Sequence, residues 1–340
     1  MIKLQQLCSI IDGRLKGDPG FEIKSVNALE KAGKDEITFA AKDSIKIEKV
    51  KAGALIVAEG SQIEYANLIY VREPYAAFAK LLEYFFPHQR FNPGIDDDAF
   101  VSDSAVMGKN VSVGAFSYVG ERTQIGDDCE IHSGVQVYRD VKIGKGCMIY
   151  ANVVIREEVE IGDHVIIQPG AVIGGDGFGF TRLSDGTPVK IPHKGKVIIG
   201  NHCEIGSNTT IDRSTVEETV LGDYVKLDNL VQIGHNVRVG RGSALSGHVG
   251  VSGSVDIGEN VIMGGMAGIA DHVKIGDGAM VAAKSGVHKD VKEKSIVGGY
   301  PHLDIRKWGR SVAIFNNLEK YIDRIRLLEQ KIKKLEEKEK

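Results

Sequence analysis

Between residues 101 and 287 an aliphatic side chain returns at every sixth position in three phased runs. The first run starts at Val101, Met107 and Val113 and continues to Ile173, thirteen positions without a miss. The period resumes at Ile199, Ile205 and Ile211, slips by four residues, and then runs from Leu221 to Val287. No α-helix has a period of six and an ordinary strand has two, so a fixed short repeat of this kind predicts a β-helical solenoid. Four residues after each aliphatic position stands a small or β-branched residue, as in Ala105, Val111, Ser117, Thr123, Cys129 and Val135. One large and one small inward position per hexad suit a narrow triangular prism with three short strands per coil. The residue right after the aliphatic one is often glycine (Gly108, Gly114, Gly120, Gly126, Gly144), where a corner is expected to need positive φ or close backbone approach.

The period is absent at both ends and broken once. Residues 1–95 read as an α/β domain capping the first coil. LQQLCSIIDG and PYAAFAKLLEYFF carry helical periodicity, and GALIVAEG and NLIYVRE are buried-strand runs. Residues 96–298 form the solenoid, interrupted at 174–197 by GGDGFGFTRLSDGTPVKIPHKGKV. An insertion between coils projects as a loop, and long loops on rigid scaffolds carry function. It is glycine-rich but lacks the Lys-Ser/Thr of a phosphate loop. Its Phe178 and Phe180 are placed to close a pocket over an apolar ligand. Residues 299–340 are a basic loop and a helix in which Ile314, Leu318, Tyr321, Ile325, Leu328, Ile332 and Leu335 step by four and three, the a/d seam of a helix that associates with others.

Composition narrows the function. A net charge of −3 gives no general attraction to nucleic acid, and the start, MIKLQQLCSI, has no apolar run long enough for a signal peptide or a spanning helix. A cytoplasmic protein is expected. Cys8, Cys129, Cys147 and Cys203 show neither CxxC pairing nor metal spacing, and the last three fall on the small inward position, where they act as small hydrophobes. No two of the ten histidines are five apart, which disfavours the His-x4-His zinc site of γ-type carbonic anhydrases on a similar solenoid. No metal is expected.

The candidate for chemistry is His235 in NLVQIGHNVRVG, two positions past Ile233, outside the prism near a corner where neighbouring repeats mostly carry Gly, Asp or Ser. Asp228 and Asn229 stand one face earlier and Asp212 a further coil back. An imidazole beside a carboxylate is the minimum for a general base of fixed tautomer; a solvated surface histidine is the plain alternative.

The repeat resembles the left-handed parallel β-helix of hexapeptide-repeat acyltransferases, and handedness follows from that likeness. The block GGDGFGF…KIP…GKVIIG…IGSNTTIDR…TVLGDYVKLDNLVQIGHNVRVG resembles the UDP-3-O-acylglucosamine N-acyltransferase family of lipid A synthesis in Gram-negative bacteria, and the likeness extends over cap, solenoid and C-terminal helix. The resemblance implies a mainly β fold, a left-handed β-helix with an N-terminal α/β uridine-binding cap and a C-terminal helical extension, assembled as a homotrimer. It implies His235 as base with Asp228 orienting it. Asn229, Gln232, Asp176, Phe178 and His272 (in IADHVKIG, with Asp271 where Gly is usual) contact substrate; His248 is left as surface. No cofactor is bound; the phosphopantetheine arm of acyl carrier protein brings a 3-hydroxyacyl thioester to the 2-amino group of UDP-3-O-acyl-glucosamine. Small residues Gly264, Gly265, Ala267, Gly268, Ala282, Ala283 and Gly286 leave room for the chain and the arm, and Lys284, Lys289, Lys292, Arg306, Lys307 and Arg310 are expected to dock the carrier protein. The family's uridine motif, like ITFxxNPKY, reads here EITFAAKDSI, so Phe39 supplies the first aromatic while Lys42 and Ile45 stand in place of Asn and Tyr. A sister hexapeptide transferase (the O-acyltransferase of the pathway or a nucleotide-sugar N-acetyltransferase) and a non-catalytic scaffold are the alternatives.

Overall fold

A computed structural model describes residues 1–40, 47–299 and 305–337. The chain divides into two compact units, Met1–Arg90 and Phe91–Lys340.

In the first unit Ala54–Ala58 (ALIVA) is apolar throughout because it is covered on both sides, as buried, mostly parallel sheets require. Its alternate residues divide between two cores: Ala54 and Ile56 pack with Leu4, Leu7 and Leu81, while Leu55 and Val57 pack with Ile63 and Leu68. The sheet order is Arg14–Lys16, Leu68–Val71, Ala54–Ala58, Glu36–Ala40, Ser25–Val26, with the first pairing antiparallel and the others parallel. Helices Leu4–Ile10 and Pro74–Phe85 flank it, the second begun by a proline whose fixed φ and missing N–H suit a first helical turn.

The second unit is a parallel β-solenoid with three faces of eleven, ten and nine strands, which begin at Gly94–Ile95, Phe100–Val101 and Val106–Met107. Each coil stacks in register on the next, so that Ile125 pairs with Ile143 and Ile143 with Ile161. The six-residue aliphatic position lines the prism axis and is buried from Val113 to Val281. The small inward position does more than save space. Ser117, Thr123, Cys129, Cys147 and Ser243 each donate to a carbonyl fifteen residues on, at 2.7–3.1 Å. The cysteines are therefore small donors as well as small hydrophobes.

Of the two demands expected at the corner, positive φ and close approach, the structure assigns each to a different residue. Positive φ falls on the third residue after the aliphatic position, at Asn110, Asp128, Asn152, Asn208 and Asn236 among others, where short polar side chains tolerate the left-handed region. The glycine directly after the aliphatic residue answers to close approach instead: a Cβ on Gly126 would lie 2.7 Å from the backbone of Gly144 on the next coil. The second residue staples coils together. Asp163, Asn201 and Asp223 each accept, at 2.7–2.9 Å, the backbone N–H of the second corner residue one coil below.

The outer surfaces of the faces differ. The third face carries a charged ladder in which Lys142 and Lys196 both bind Glu160, at 3.3 and 2.9 Å. The second face becomes bare towards its C-terminal end, where Gly250, Gly268 and Gly286 pair in register and a Cβ on any of them would meet nothing within 4 Å. At the insertion two strands run past the corner, Val172–Asp176 paired with Thr210–Arg213. Buried Arg213 secures this exit through Nε to the Gly174 carbonyl at 2.7 Å and through both Nη atoms to Glu157 at 3.1 and 3.0 Å. The insertion itself is an arm closed by a hairpin of Phe180–Arg182 and Pro188–Lys190.

The C-terminal extension is two helices, Ile305–Asn316 and Leu318–Glu336, so the expected continuous seam is interrupted at Asn317. Ile314, Leu318, Tyr321, Ile325, Leu328, Ile332 and Leu335 are all exposed. No helix among the described residues is long and apolar enough to cross a membrane.

Candidate active site

His235 follows the second-face strand Gln232–Ile233 and lines a cleft of about 1060 Å³. The glycine face (Gly250, Gly268) forms one wall, the arm residues Asp176, Phe178, Phe180 and Lys190 another, and Ser252, Asp271 and His272 the rim.

The tautomer of His235 follows from its neighbours. The backbone N–H of Thr215 donates to Asn236 Oδ1 at 3.2 Å, which identifies that atom as the amide oxygen. The same oxygen lies 3.1 Å from His235 Nδ1, so Nδ1 must carry the proton. Nε2 of the neutral ring then keeps its lone pair. Asn236 is itself fixed by its left-handed corner backbone and by its N–H to Thr219 Oγ1 at 2.9 Å. Above the ring, Gly253 leaves space that no other residue would: a Cβ there would sit 2.6 Å from Cε1 and Nε2. On the arm side a Cβ on Gly177 would lie 2.8 Å from His235 Cβ.

The carboxylate that faces His235 is Asp212, one coil below. Burial pushes its pKa up to about 6, opposed first by the attraction of the His235 charge and then by its hydrogen bond to Gln232. Gln232 donates Nε2 to Asp212 at 2.8 Å, and its carbonyl accepts from Thr210 Oγ1. Asp176 pairs with Lys190 at 2.5 Å, which holds it below the usual carboxylate range.

Asp228 and Asn229 do not reach His235 of their own chain. They follow Lys226–Leu227 of the first face, a full face earlier. Asp228 accepts the backbone N–H groups of Asn229 and Gly247 at 2.7 and 2.9 Å, and Asn229 accepts that of Ser207 at 2.7 Å. Both are corner staples. In a three-faced coil a residue seven positions back is at the neighbouring corner, whereas one full coil back is only about 4.8 Å below. Within this chain the side chain bonded to His235 Nδ1 is therefore that of Asn236, and the carboxylate that acts on the ring is that of Asp212. His272, exposed at the left-handed position two coils above, lies on the rim. His248 is an exposed corner residue outside the cleft. The sequence reading also missed His193, which is buried behind His235 with ring centroids 5.1 Å apart.

In the first unit Phe39 is half-buried beside Phe78 and the exposed Tyr75, both at centroid distances of 4.7 Å. Tyr75 thus supplies a second aromatic next to Phe39; Lys42 and Ile45 lie outside the described residues. Lys284, Lys289, Lys292, Arg306, Lys307 and Arg310 are all exposed. Among the described residues no group of His, Cys, Asp and Glu could hold a metal ion.

Comparison with known proteins bears on the whole chain. Residues 21–84 match the family model of UDP-3-O-(3-hydroxymyristoyl) glucosamine N-acyltransferase. Residues 104–139 and 140–175 match the bacterial transferase hexapeptide, and 196–229 and 254–283 the hexapeptide repeat of succinyl-transferase. The UDP-3-O-acylglucosamine N-acyltransferase of Christiangramia forsetii is 43% identical over 96% of this chain and 97% of its own length. That of Syntrophus aciditrophicus is 44% identical over 98% and 93%. The chain belongs to the UDP-3-O-acylglucosamine N-acyltransferase family. Among solved structures, an Arabidopsis UDP-N-acetylglucosamine acyltransferase superposes with a TM-score of 0.56 at 26% identity, covering 60% of this chain and 71% of that one. The solenoid is thus the left-handed β-helix of the hexapeptide acyltransferases, and the match to the N-acyltransferase family model falls on the first unit.

Proposed function

We propose that this N-acyltransferase-family protein moves a 3-hydroxyacyl chain from the phosphopantetheine thioester of acyl carrier protein to the 2-amino group of UDP-3-O-acyl-glucosamine, with His235 as general base. The observation that carries the reading is the fixed tautomer: the Thr215 N–H determines the Asn236 oxygen, and that oxygen leaves His235 Nε2 as a lone pair in the cleft. The amine attacks the thioester carbon, Nε2 takes its proton, and the proton passes to the departing thiolate as the tetrahedral intermediate collapses. Asp212 offsets the imidazolium charge while it lasts, and a backbone N–H stabilises the oxyanion. The thioester supplies the driving force, and no covalent enzyme intermediate is required.

The bare second face suits the donor. A ladder of three glycines beside the base leaves an extended channel free of side chains, the shape an acyl chain and a pantetheine arm need. The exposed Phe178 and Phe180, in edge contact at 5.1 Å, offer an apolar lid. Phe39 and Tyr75 are the candidates to stack on uracil, and the exposed basic residues of the C-terminal segment are the candidates to meet an acidic carrier protein. The exposed apolar residues of the C-terminal helices support assembly of a homotrimer, and the place proposed for it is the cytoplasm.

The test is direct. The purified protein, incubated with 3-hydroxyacyl carrier protein and UDP-3-O-acyl-glucosamine, should form the N-acylated nucleotide sugar detectable by mass spectrometry. The His235→Ala protein should retain its melting temperature and lose roughly 10²–10⁴-fold in turnover, the range for a lost general base. A folded variant with near wild-type turnover removes His235 from the mechanism.

A further inference from the structure

The insertion arm returns to the solenoid through Ile191, Pro192 and His193, and it buries His193 to 3% exposure directly behind the proposed base. The two imidazole planes are inclined by 58°. The arm makes room for the ring by having no side chains at two positions: a Cβ on Gly177 would lie 2.7 Å from His193 Nε2, and one on Gly179 would lie 2.7 Å from His193 Cε1. The same imagined Gly177 Cβ is 2.9 Å from His235 Cδ2, so His193 turns its Nε2 edge towards the His235 ring. Neither nitrogen of His193 has a well-formed hydrogen bond to the protein, although the backbone of Ile191 is near enough to favour the protonated ring. A buried polar group without a partner is destabilising, and a phenyl or leucyl side chain would fill this space without that cost. The imidazole therefore answers to something the resting site does not contain.

What the resting site lacks is the positive charge of the working base. We infer that neutral His193 is a positioning residue for acyl transfer, which holds the His235 ring against the arm and turns a lone pair towards the imidazolium that forms when His235 takes the amine proton. The inference rests on His235 being the base. The charged groups that act on His193 are His235, Asp176 and Lys190, the last two paired with each other, while Asp212 acts on the other side of His235. Burial first and the His235 charge second lower the pKa of His193, which favours its neutral ring. His193 neither gains nor loses a proton during turnover. It acts as a dipole, in a dry setting where dipoles count for more than in water.

The experiment compares His193→Phe and His193→Gln in the full-length protein, by kcat, KM, the pH profile of kcat and melting temperature. The Phe variant should melt no lower than wild type, keep KM within about twofold and lose roughly tenfold in kcat, with the acid limb of the profile moved to lower pH because the imidazolium has lost a stabilising neighbour. The Gln variant, which retains an acceptor, should recover most of kcat and return the limb towards its original position. If Phe is too large to pack, His193→Leu takes its place with the same expectation. Wild-type kcat and an unmoved acid limb in the apolar variant would overturn the inference, as would a Gln variant as slow as Phe. Turnover surviving in His235→Ala would remove the base itself, a different failure that the His193 variants do not produce.

Discussion

Two corners of the solenoid use the same position of the repeat in opposite ways. At the corner of Asp163, Asn201 and Asp223, the second residue after the aliphatic position accepts the backbone N–H of the coil below, and the bonds continue from coil to coil. At the corner of His235 the equivalent side chain binds no neighbouring backbone. It bonds sideways to Asn236, covers Asp212, and is roofed by a glycine. The first corner uses its polar atoms to hold the fold; the second leaves them facing the cleft. The second-face corner carries Glu121, Arg139 and Glu157 at this position, which pair with Arg122, Asp140 and Arg156 and not with backbone, and at the insertion Val172–Asp176 and Thr210–Arg213 run straight past the turn. A solenoid stabilised mainly by nearest-neighbour coils can give up a few bonds at one corner without losing its register.

The strongest way to break the comparison after removing His235 itself is to fill the roof above it. Gly253→Ala puts a methyl group 2.6 Å from Nε2 and Cε1, which forces the ring to move. A displacement near 1 Å can cost on the order of 10²-fold in rate, and that loss is expected in kcat. Gly247 is the matched control. It stands one coil above Asn229 at the first-face corner, where a Cβ would approach nothing closer than 3.3 Å. Gly247→Ala should therefore leave kcat within about twofold, since a rate loss needs displaced catalytic geometry. Equal rates for the two alanine variants would mean that the position of the His235 ring does not limit catalysis.

The repeat was legible because burial repeats with it: from Val113 onwards each aliphatic position of the runs is a buried strand residue in the prism. The proposed base, His235, was legible as a departure from the repeat. Its partners were not, since the four-residue slip after Ile211 is what brings Asp212 under His235, and a reading by distance along the chain chose Asp228 instead. Asn236 was overlooked for a similar reason. Asparagine at the third corner position is commonplace, as at Asn110, Asn152 and Asn208, and only the direction of its side chain distinguishes this one. His193 lies outside the period altogether, on an arm whose path no repeat dictates. Lys42 and Ile45 predicted a weakened uracil platform, while Tyr75, thirty-six positions from Phe39 in sequence, reaches it through the helix that packs on the sheet.

Asp212→Asn sharpens the electrostatic half of the comparison, with a smaller effect. Losing the carboxylate beside a forming imidazolium should slow turnover by roughly tenfold near neutral pH. The direction with pH follows from its raised pKa of about 6. Above that value Asp212 is ionised and supports the base; as pH falls through it the charge is lost. The wild-type rate should therefore fall more steeply on the acid side than that of the Asn variant. Stability has the opposite sign. The native protein binds this proton more tightly than the unfolded chain does, so the group's favourable contribution is complete below the ordinary carboxylate pKa and is lost as pH rises through about 6. Asp212→Asn should melt above wild type at pH 7.5 and level with it near pH 4, that is, on either side of these two values. Wild-type turnover with an unchanged acid limb would mean that Asp212 is a bystander.

The smallest effect on catalysis is expected at the stapled corner. Asp223 accepts from the backbone and the side-chain amide of Asn201, at 2.7 and 3.1 Å, and pairs with Arg241 at 3.4 Å on a half-exposed surface. The surface ion pair is worth little, so the main loss in Asp223→Ala is the acceptor for the Asn201 N–H. That N–H belongs to a partly buried corner, and leaving it unpaired should cost about 1–3 kcal/mol. The melting temperature should drop while kcat per folded molecule stays at the wild-type value, because the third-face corner does not line the cleft. A fall in kcat without a fall in stability would mean that the corners are coupled and that stapling and chemistry are not separable. A fall in stability alone identifies the second corner residue as structural wherever it faces the backbone, and leaves His235 as the place where the repeat was given over to function.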